Sequence, residues 1–542
     1  MNILIVIPAR GGSKGIPRKN LRSLAGNPLI YYSIKLSLAS KYHPDVYVSS
    51  DDDEVLSISQ LIGASVIKRD SSIAKDVTTL DPVIHDAYKQ AMKLEGKQYD
   101  LIVTLQPTSP LLKTISLDHA IDTIVKNDSV DTVIAATDDT HLTWKKVDGV
   151  YSPNYLERVN RQYLTPIFKE TGGFLITRSR FISESNRLGK NIKLHLLDNG
   201  ENIDIDTYED WNLCEYYLKR KRVLFVVSGY QEIGLGHVYN TLLISNDILN
   251  HHVEFLVDSK SQLAHEKISS KNYIVHIQKN ENIVDDIKYL KPDVVINDRL
   301  DTEASYVKGL KSLDIKVINF EDLGAGAKEA DLVINAIYPE KEILPNHYFG
   351  HDYFVLRDEF ILSNPTEVSK EVTNVLLTFG GVDPNNYTLK VLKSIYDYCI
   401  ENGINISVVA GFGYQQYESL AAFKEVSIYR NATDISSHMK KANIIFTSAG
   451  RTTYEIASLN VPAIVLAQNK RELSHFFASE EYGFANLGLG SVVAEEEILN
   501  VFSNLASNYE VRKQVSAQMS KVDLRLGRDR TLRLIKSVVE AA

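Results

Sequence analysis

The sequence predicts an α/β protein built from successive doubly wound units, and three observations carry that expectation. Short apolar runs alternate with amphipathic stretches from the first residues onward, the alternation restarts near residue 222, and within the second half it runs through twice. Strands that alternate with helical patterns form βαβ units, which set a mostly parallel sheet between helices. A chain of 542 residues is too long for one core at about 100–200 residues per domain, so about three globular units are expected.

In the first unit the strands read as "ILIVI" (3–7), "VYVSS" (46–50), "LIVTLQ" (101–106) and "TVIAAT" (132–137), with "PLIYYSIKLSLAS" as a helix between the first two. From about 150 to 175 the pattern loses regularity. "NIDIDTYEDWNLCEYYLKRKR" (202–222) then reads as a strand running into an amphipathic helix with a basic end. "RVLFVVSG" (222–229) opens a new domain, which puts a boundary near Lys221. After it, "VEFLVD", "DVVIND", "KVINFED" and "LVINAIY" make one lobe, and "NVLLTFGG", "INISVVAGFG", "NIIFTSAG" and "VPAIVLAQ" make a second. The expected divisions are 1–220, 221–360 and 361–542. Two consecutive lobes of this kind place a ligand cleft at the carboxyl ends of their strands.

Composition narrows the function. With 44% hydrophobic and 24% charged residues the chain has an ordinary globular make-up, and a net charge of −9 argues against a nucleic-acid partner. The two cysteines, Cys214 and Cys399, lie far apart and without neighbouring ligands, which excludes a disulfide scaffold or a cysteine zinc site. No signal peptide and no apolar span of 18 residues is present, so a cytoplasmic protein without membrane insertion is expected.

Basic residues are therefore most informative where they cluster. "IPARGGSKGIPRKN" (7–20) sets three glycines among Arg10, Lys14, Arg18 and Lys19 without one acid, directly after the first strand. Such a loop can bring backbone N–H groups and cations to a phosphate chain. It fits neither G-x-x-x-x-G-K-[ST] nor G-x-G-x-x-G, which weakens ATPase and dehydrogenase readings; a merely solvated basic loop is the plain alternative. Asp204 and Asp206, two apart on an extended segment, would project to one face and suit Mg²⁺ bridging to phosphates.

The stretch closely resembles the signature of the CMP-sialic acid synthetase family, which activates nine-carbon keto sugar acids with CTP. The family's "LQPTSP" (105–110), an arginine in "IKRD" (67–70) and "DIDT" (204–207) follow in the same order, so the resemblance covers about 1–220. It implies a GT-A/Rossmann-like nucleotidyltransferase domain. It further implies that Arg10, Ser13, Lys19 and Asn20 grip the triphosphate and cytidine, that Arg69 and Gln106 hold nucleotide and base, and that Asp204 and Asp206 bind Mg²⁺. Arg10 and Lys19 would be catalytic through charge neutralisation. On the acceptor side "NRQYLTPIFKETGGFLI" keeps Arg161 and Gln162, but has Tyr163 for an acid and Thr171-Gly172 for Asn-Gly. Those departures leave open which nonulosonic acid is used. The resemblance also implies a homo-oligomer.

In the second half "SGYQEIGLGHVYN" (228–240) places Gly236 and His237 after the first strand of the domain. "LLTFGGVDPNN" (376–386) and "TSAGRTTYEIASLNVPAIVLAQN" (447–469) resemble the UDP-binding lobe of GT-B proteins. More specifically they resemble the UDP-2,4-diacetamido-2,4,6-trideoxy-sugar hydrolases of pseudaminic acid biosynthesis. This resemblance implies a two-lobed GT-B (double Rossmann-like) domain over about 222–542 that needs no cofactor. In it Gly380, Gly381, Ser448, Gly450, Thr452 and Thr453 lie along a diphosphate, Glu455 takes ribose hydroxyls, and His237 serves as general base on water. Asp298 and Asp301 of "NDRLDT" are expected at the cleft edge, touching sugar. Where relatives read G-x-G-H-x-x-R this chain has Asn240, a missing cation that leaves the activity of the rear site open. The expected protein is a bifunctional enzyme with CTP, a nonulosonic acid and a UDP-sugar as small-molecule substrates. The alternatives for the rear half are a glycosyltransferase or a noncatalytic binding or oligomerisation module.

Overall fold

The structure is a computed structural model that describes all residues except 13, 14, 75–77, 199, 249, 341 and 431. The chain divides into two compact units, Met1–Arg220 and Lys221–Ala542.

The first unit is built on a seven-stranded sheet. Its strands lie in the order Ile192–Leu196, Thr132–Asp138, Phe168–Arg178, Leu101–Leu105, Ile3–Pro8, Asp45–Ser50 and Ser65–Lys68. Phe168–Arg178 runs antiparallel to both neighbours and carries a register shift between Glu170 and Leu175; the other pairings are parallel. Ile3, Ile5, Ile7, Val46, Val48, Leu101 and Val103 lie in one core under the helix Leu29–Leu38, while Leu4, Val6 and Tyr47 pack in a second core on the opposite side. That two-sided burial is why these strands read as continuous apolar runs. The chain leaves Ile3–Pro8 toward one side and returns on the other with Leu101–Leu105, so the loops after these two strands flank a topological switch point, where open α/β sheets take their ligands.

The irregular stretch after residue 140 contains a hairpin, Trp144–Val147 with Val150–Pro153, and the long antiparallel strand, whose first residues are exposed. Over 203–206 the expected strand does not form: the segment belongs to no sheet. It is instead the approach to the helix Tyr208–Lys219, where Thr207 and Asp210 close a capping box.

The second unit carries two parallel sheets. The first runs Val275–Ile277, His252–Val257, Arg222–Val227, Val294–Asp298, Lys316–Phe320, Leu332–Asn335, His347–Phe349, and the second runs Val426–Arg430, Asn405–Ala410, Asn374–Leu377, Ile444–Thr447, Ala463–Ala467, Phe484–Leu489. In each, the first strand in sequence lies beside the fourth, the arrangement of a dinucleotide-binding fold. The two lobes share a core. Phe354, Tyr454 and Phe477 stack with centroids 4.0 and 4.1 Å apart, beside Ala336, Ile337 and Tyr338 of the first lobe. The end of the chain departs from the expected 361–542 lobe, because the helix Gly527–Glu540 returns to the first lobe, where Ile535 and Val539 join Val294 and Ile318. Among the described residues no helix is long and apolar enough to cross a membrane.

Candidate functional site

In the first unit, four sequence segments meet at the switch point. Lys19 follows the glycine loop and lies on the short turn Lys19–Leu21. Its Nζ donates to the Ile205 carbonyl at 2.6 Å and stands 3.5 Å from Asp206 Oδ1. The Ile205 N–H donates to the Thr108 carbonyl at 2.9 Å, which ties the "LQPTSP" turn to the same segment. Two glycines allow these approaches. A Cβ on Gly15 would stand 2.7 Å from the Asp206 carbonyl, and one on Gly172 would stand 3.0 Å from the Asp204 carboxyl group. Lys19, Thr108, Gly172, Asp204 and Asp206 therefore belong to one locality, drawn from opposite ends of the unit's sequence.

The carboxylates differ in setting. Asp206 is exposed, with 78% of its side chain accessible, whereas Oδ1 of Asp204 is buried and, like Thr108 Oγ1 and Ser109 Oγ, has no hydrogen-bond partner among the described residues. A buried polar atom left unpaired costs about 1–3 kcal/mol, so these are atoms that a bound ligand or ion could satisfy. Among the described residues no group of three or more His, Cys, Asp and Glu side chains is arranged to hold a metal alone. Two carboxylates nonetheless fit Mg²⁺, which is ordinarily held by one or two carboxylates together with substrate phosphates and water.

The other expected residues range from buried to exposed. Asn20 is 9% exposed, and its Nδ2 donates to the Arg10 carbonyl at 2.9 Å, holding the loop's entry against its exit. Arg69 is 6% exposed and donates to the Ser49 carbonyl (2.6 Å) and hydroxyl (3.2 Å). Burial lowers its pKa, Asp51 and Asp86 oppose that, and the charge of Arg10 adds to it, so the two guanidiniums are neighbours. Gln106 is half-buried just after Leu101–Leu105. Arg161 and Gln162 are exposed on the turn Arg161–Tyr163, with Arg161 Nη2 3.5 Å from the Asp138 carbonyl. Ser13 lies outside the described residues.

The second unit holds a cavity of about 260 Å³ between its lobes, lined by Gly236, His237, Gly380, Gly381, Ser448, Gly450, Thr452 and Glu455. Topology explains the convergence. His237 follows the first strand of its lobe and Asp298 ends the fourth, while Gly380 and Ser448 occupy the matching places in the other lobe. Gly380 has φ +78, a left-handed conformation that glycine adopts without strain.

A chain of polar contacts crosses this cavity. His237 Nδ1 lies 2.5 Å from Asp298 Oδ1, Asn240 Nδ2 donates to Asp298 Oδ2 at 2.7 Å, and Arg451 Nη2 donates to Asn240 Oδ1 at 2.7 Å. Arg451 Nη1 continues to Glu321 Oε1 at 3.5 Å, and the guanidinium sits over the Phe354 ring, 4.4 Å from its centroid. Asp298 fixes the imidazole and leaves Nε2 as the ring nitrogen open to a ligand. The place of the expected but absent cation is thus supplied from the other lobe: Asn240 is a buried connector, and Arg451 brings the positive charge. Burial pushes the Glu321 carboxyl up to about 8, against the opposing pull of Arg451.

Several expectations are corrected here. Asp298 is fully buried and is committed to His237 and Asn240, so it does not touch sugar. Asp301 forms a two-point pair with Arg471 at 3.0 and 3.1 Å. Thr453 is 1% exposed, and both its N–H and its hydroxyl donate to the Gly450 carbonyl, so it offers no donor to a diphosphate. The Ala449 N–H of the same turn goes to Glu472 Oε2 at 3.2 Å. Glu455 has one oxygen engaged already, since Arg357 Nε donates to Oε1 at 2.7 Å.

Comparison with known proteins adds the family. The Cytidylyltransferase family model matches residues 4–216. The CMP-N,N'-diacetyllegionaminic acid synthase of Legionella pneumophila is 33% identical over 225 residues, 40% of this chain and 95% of that protein. The chain belongs to the cytidylyltransferase family. A Helicobacter pylori protein named pseudaminic acid cytidylyltransferase and UDP-2,4-diacetamido-2,4,6-trideoxy-beta-L-altropyranose hydrolase is 23% identical over 530 residues, 93% of this chain and 96% of that protein. An uncharacterized protein of Methanocaldococcus jannaschii is 30% identical over 348 residues, 56% of this chain and 71% of that protein.

Sequence reasoning missed three residues of this cytidylyltransferase's rear cavity: Arg451, Glu321 and His475. Arg451 lay inside a quoted motif, "TSAGRTTYE", as the only charged residue before the helix, and that was the available signal. Glu321 has φ +51, a backbone state that nothing in "NFEDL" announces. His475 is brought in by the turn Glu472–Ser474, six residues past the end of the quoted 447–469 motif.

Proposed function

We propose that this cytidylyltransferase is bifunctional: its first unit joins CTP to a nonulosonic, sialic-acid-like acid with release of pyrophosphate, and its second unit hydrolyses a UDP-sugar. The observation that carries the first activity is the meeting of Lys19, Gly172, Asp204 and Asp206 beside unpaired buried acceptors. Lys19 and Arg10 would counter phosphate charge, and the glycine loop would admit the triphosphate close to the backbone, so that the acid's anomeric hydroxyl attacks the α-phosphate in line. Asp204 and Asp206 would hold Mg²⁺, whose contribution when bound is to neutralise phosphate charge. Arg161 would pair with the substrate carboxylate.

For the second activity the supporting observation is the Asp298–His237 pair inside the interlobe cavity. With Nδ1 engaged by Asp298, His237 can take a proton at Nε2 from a water molecule attacking the anomeric carbon, and UDP leaves. A relative that spans almost the whole chain is named for both activities, which supports placing them on one polypeptide.

The test is direct. Purified protein with CTP, Mg²⁺ and a panel of sialic, legionaminic and pseudaminic acids should release pyrophosphate with at least one acid, and EDTA should abolish release until Mg²⁺ is restored. Release with none of them would remove the first assignment. UDP release from UDP-diacetamido-trideoxy sugars tests the second; release that required an added acceptor would make the rear unit a glycosyltransferase.

A further inference from the structure

His475 lines the same cavity as His237 and, like it, is held through Nδ1 by an acceptor oxygen, here a backbone carbonyl rather than a carboxylate. Its Nδ1 lies 2.7 Å from the Ala449 carbonyl oxygen. A carbonyl can only accept, so in the neutral ring Nδ1 carries the proton and Nε2 bears a bare lone pair. That Nε2 is buried and has no hydrogen-bond partner among the described residues. The ring is fixed by an edge contact to Tyr338, with centroids 5.2 Å apart. Protonation at Nε2 is disfavoured: burial foremost, then the charges of Arg471, His237 and Arg451, bring the pKa down to about 4, against the pull of the Ala449 carbonyl. Glu472, three residues earlier, is committed to the Ala449 and Gln468 N–H groups.

A neutral, buried, unpaired acceptor selects its ligand by chemistry. Phosphate and carboxylate oxygens are themselves acceptors at neutral pH and gain nothing there; an amide N–H or a hydroxyl does. Because His475 and His237 line one cavity of about 260 Å³, a ligand whose scissile bond lies at His237 brings its sugar within the same enclosure as His475. We propose that His475 is a specificity-determining residue, accepting a hydrogen bond at Nε2 from an N–H or O–H donor on the sugar of a nucleoside diphosphate sugar. This inference rests on the UDP-sugar reading of the rear unit and adds the part of the ligand that is recognised there.

The experiment compares UDP with UDP-N-acetylglucosamine by isothermal titration calorimetry against the wild-type full chain, His475→Phe and His475→Gln. Losing one such hydrogen bond corresponds to roughly tenfold in affinity. The expected result is that UDP binds all three proteins within about twofold, whereas the UDP-sugar binds His475→Phe about tenfold more weakly and His475→Gln, which keeps an acceptor, close to wild type. Unchanged UDP affinity also shows that the variant cavity is folded. Nitrogen-15 NMR of labelled histidine should show Nε2 of His475 unprotonated in the free protein. A protonated Nε2, an equal loss for UDP and UDP-sugar, or no loss in His475→Phe overturns the proposal while leaving the UDP reading standing. Failure of UDP to bind the wild type overturns both.

Discussion

Lys19 in the first unit and His237 in the second stand at equivalent positions, each just after the first strand of its sheet, yet their surroundings differ in kind. Around Lys19 the contacts run mostly to backbone: Ile205 and Thr108 lend their main chains, while Asp204 Oδ1, Thr108 Oγ1 and Ser109 Oγ have no partner among the described residues. Around His237 side chain follows side chain, from Asp298 through Asn240 and Arg451 to Glu321. A site that handles a triphosphate and a cation can leave polar groups waiting, because the ligand brings the charges that satisfy them. A site that must turn water into a nucleophile needs its base oriented before the substrate arrives.

The contrast gives predictions of decreasing size. His237→Ala removes the oriented base and should lower UDP release by about 10²–10⁴-fold, while pyrophosphate release from CTP is unchanged; a loss of both in steady-state assays would deny the separation of the sites. Lys19→Ala takes one charge from the phosphate site. Pyrophosphate release should drop about 10²–10³-fold, measured by a coupled phosphate assay, with UDP release unaffected.

Asn240→Leu cuts the connector and strands the buried Asp298 Oδ2. The second unit should lose roughly 1–3 kcal/mol of stability in scanning calorimetry, and UDP release should slow. Restoration of the rate by the Asn240→Asp variant, which cannot donate to Asp298, would show that the connection is unnecessary.

The pH dependence of stability follows from Glu321. Its carboxyl ionises at about 8 in the folded protein against an ordinary value of 4.5. Between those values the folded state holds a proton that the unfolded chain releases, so this group makes folding less favourable as pH rises from about 4.5 to 8. Glu321→Gln lacks the effect. Its melting temperature should therefore gain on wild type between pH 5 and pH 8, and a constant difference would contradict the protonated carboxyl. Smallest of all, Asp301→Asn should change UDP release by less than about threefold, because partly exposed pairs contribute about 0–1 kcal/mol and Arg471 keeps its bonds to Tyr338 and the Glu321 carbonyl.

The core strands were legible because their apolar runs are buried on both sides, as with Val223–Val227 and Ile444–Phe446. The edge strands Val275–Ile277 and Val426–Arg430 are short and partly exposed, and their composition carries no comparable signal. In the site, residues within contiguous motifs were accessible to reading. What sequence could not supply was partnership across distance: that Asp298 orients His237, that Arg451 answers Asn240 from the other lobe, and that Arg357 engages Glu455. Each depends on loops converging from separate strands, and no local pattern records that.

In the proposed function, one chain carries two independent chemistries. That independence is tested most directly by assaying a single preparation for pyrophosphate release from CTP with a nonulosonic acid and for UDP release from a UDP-sugar, in wild type, Lys19→Ala and His237→Ala. Each substitution should abolish one activity and spare the other. Loss of both activities by either substitution, or wild-type protein that releases only one product with every substrate offered, would contradict it.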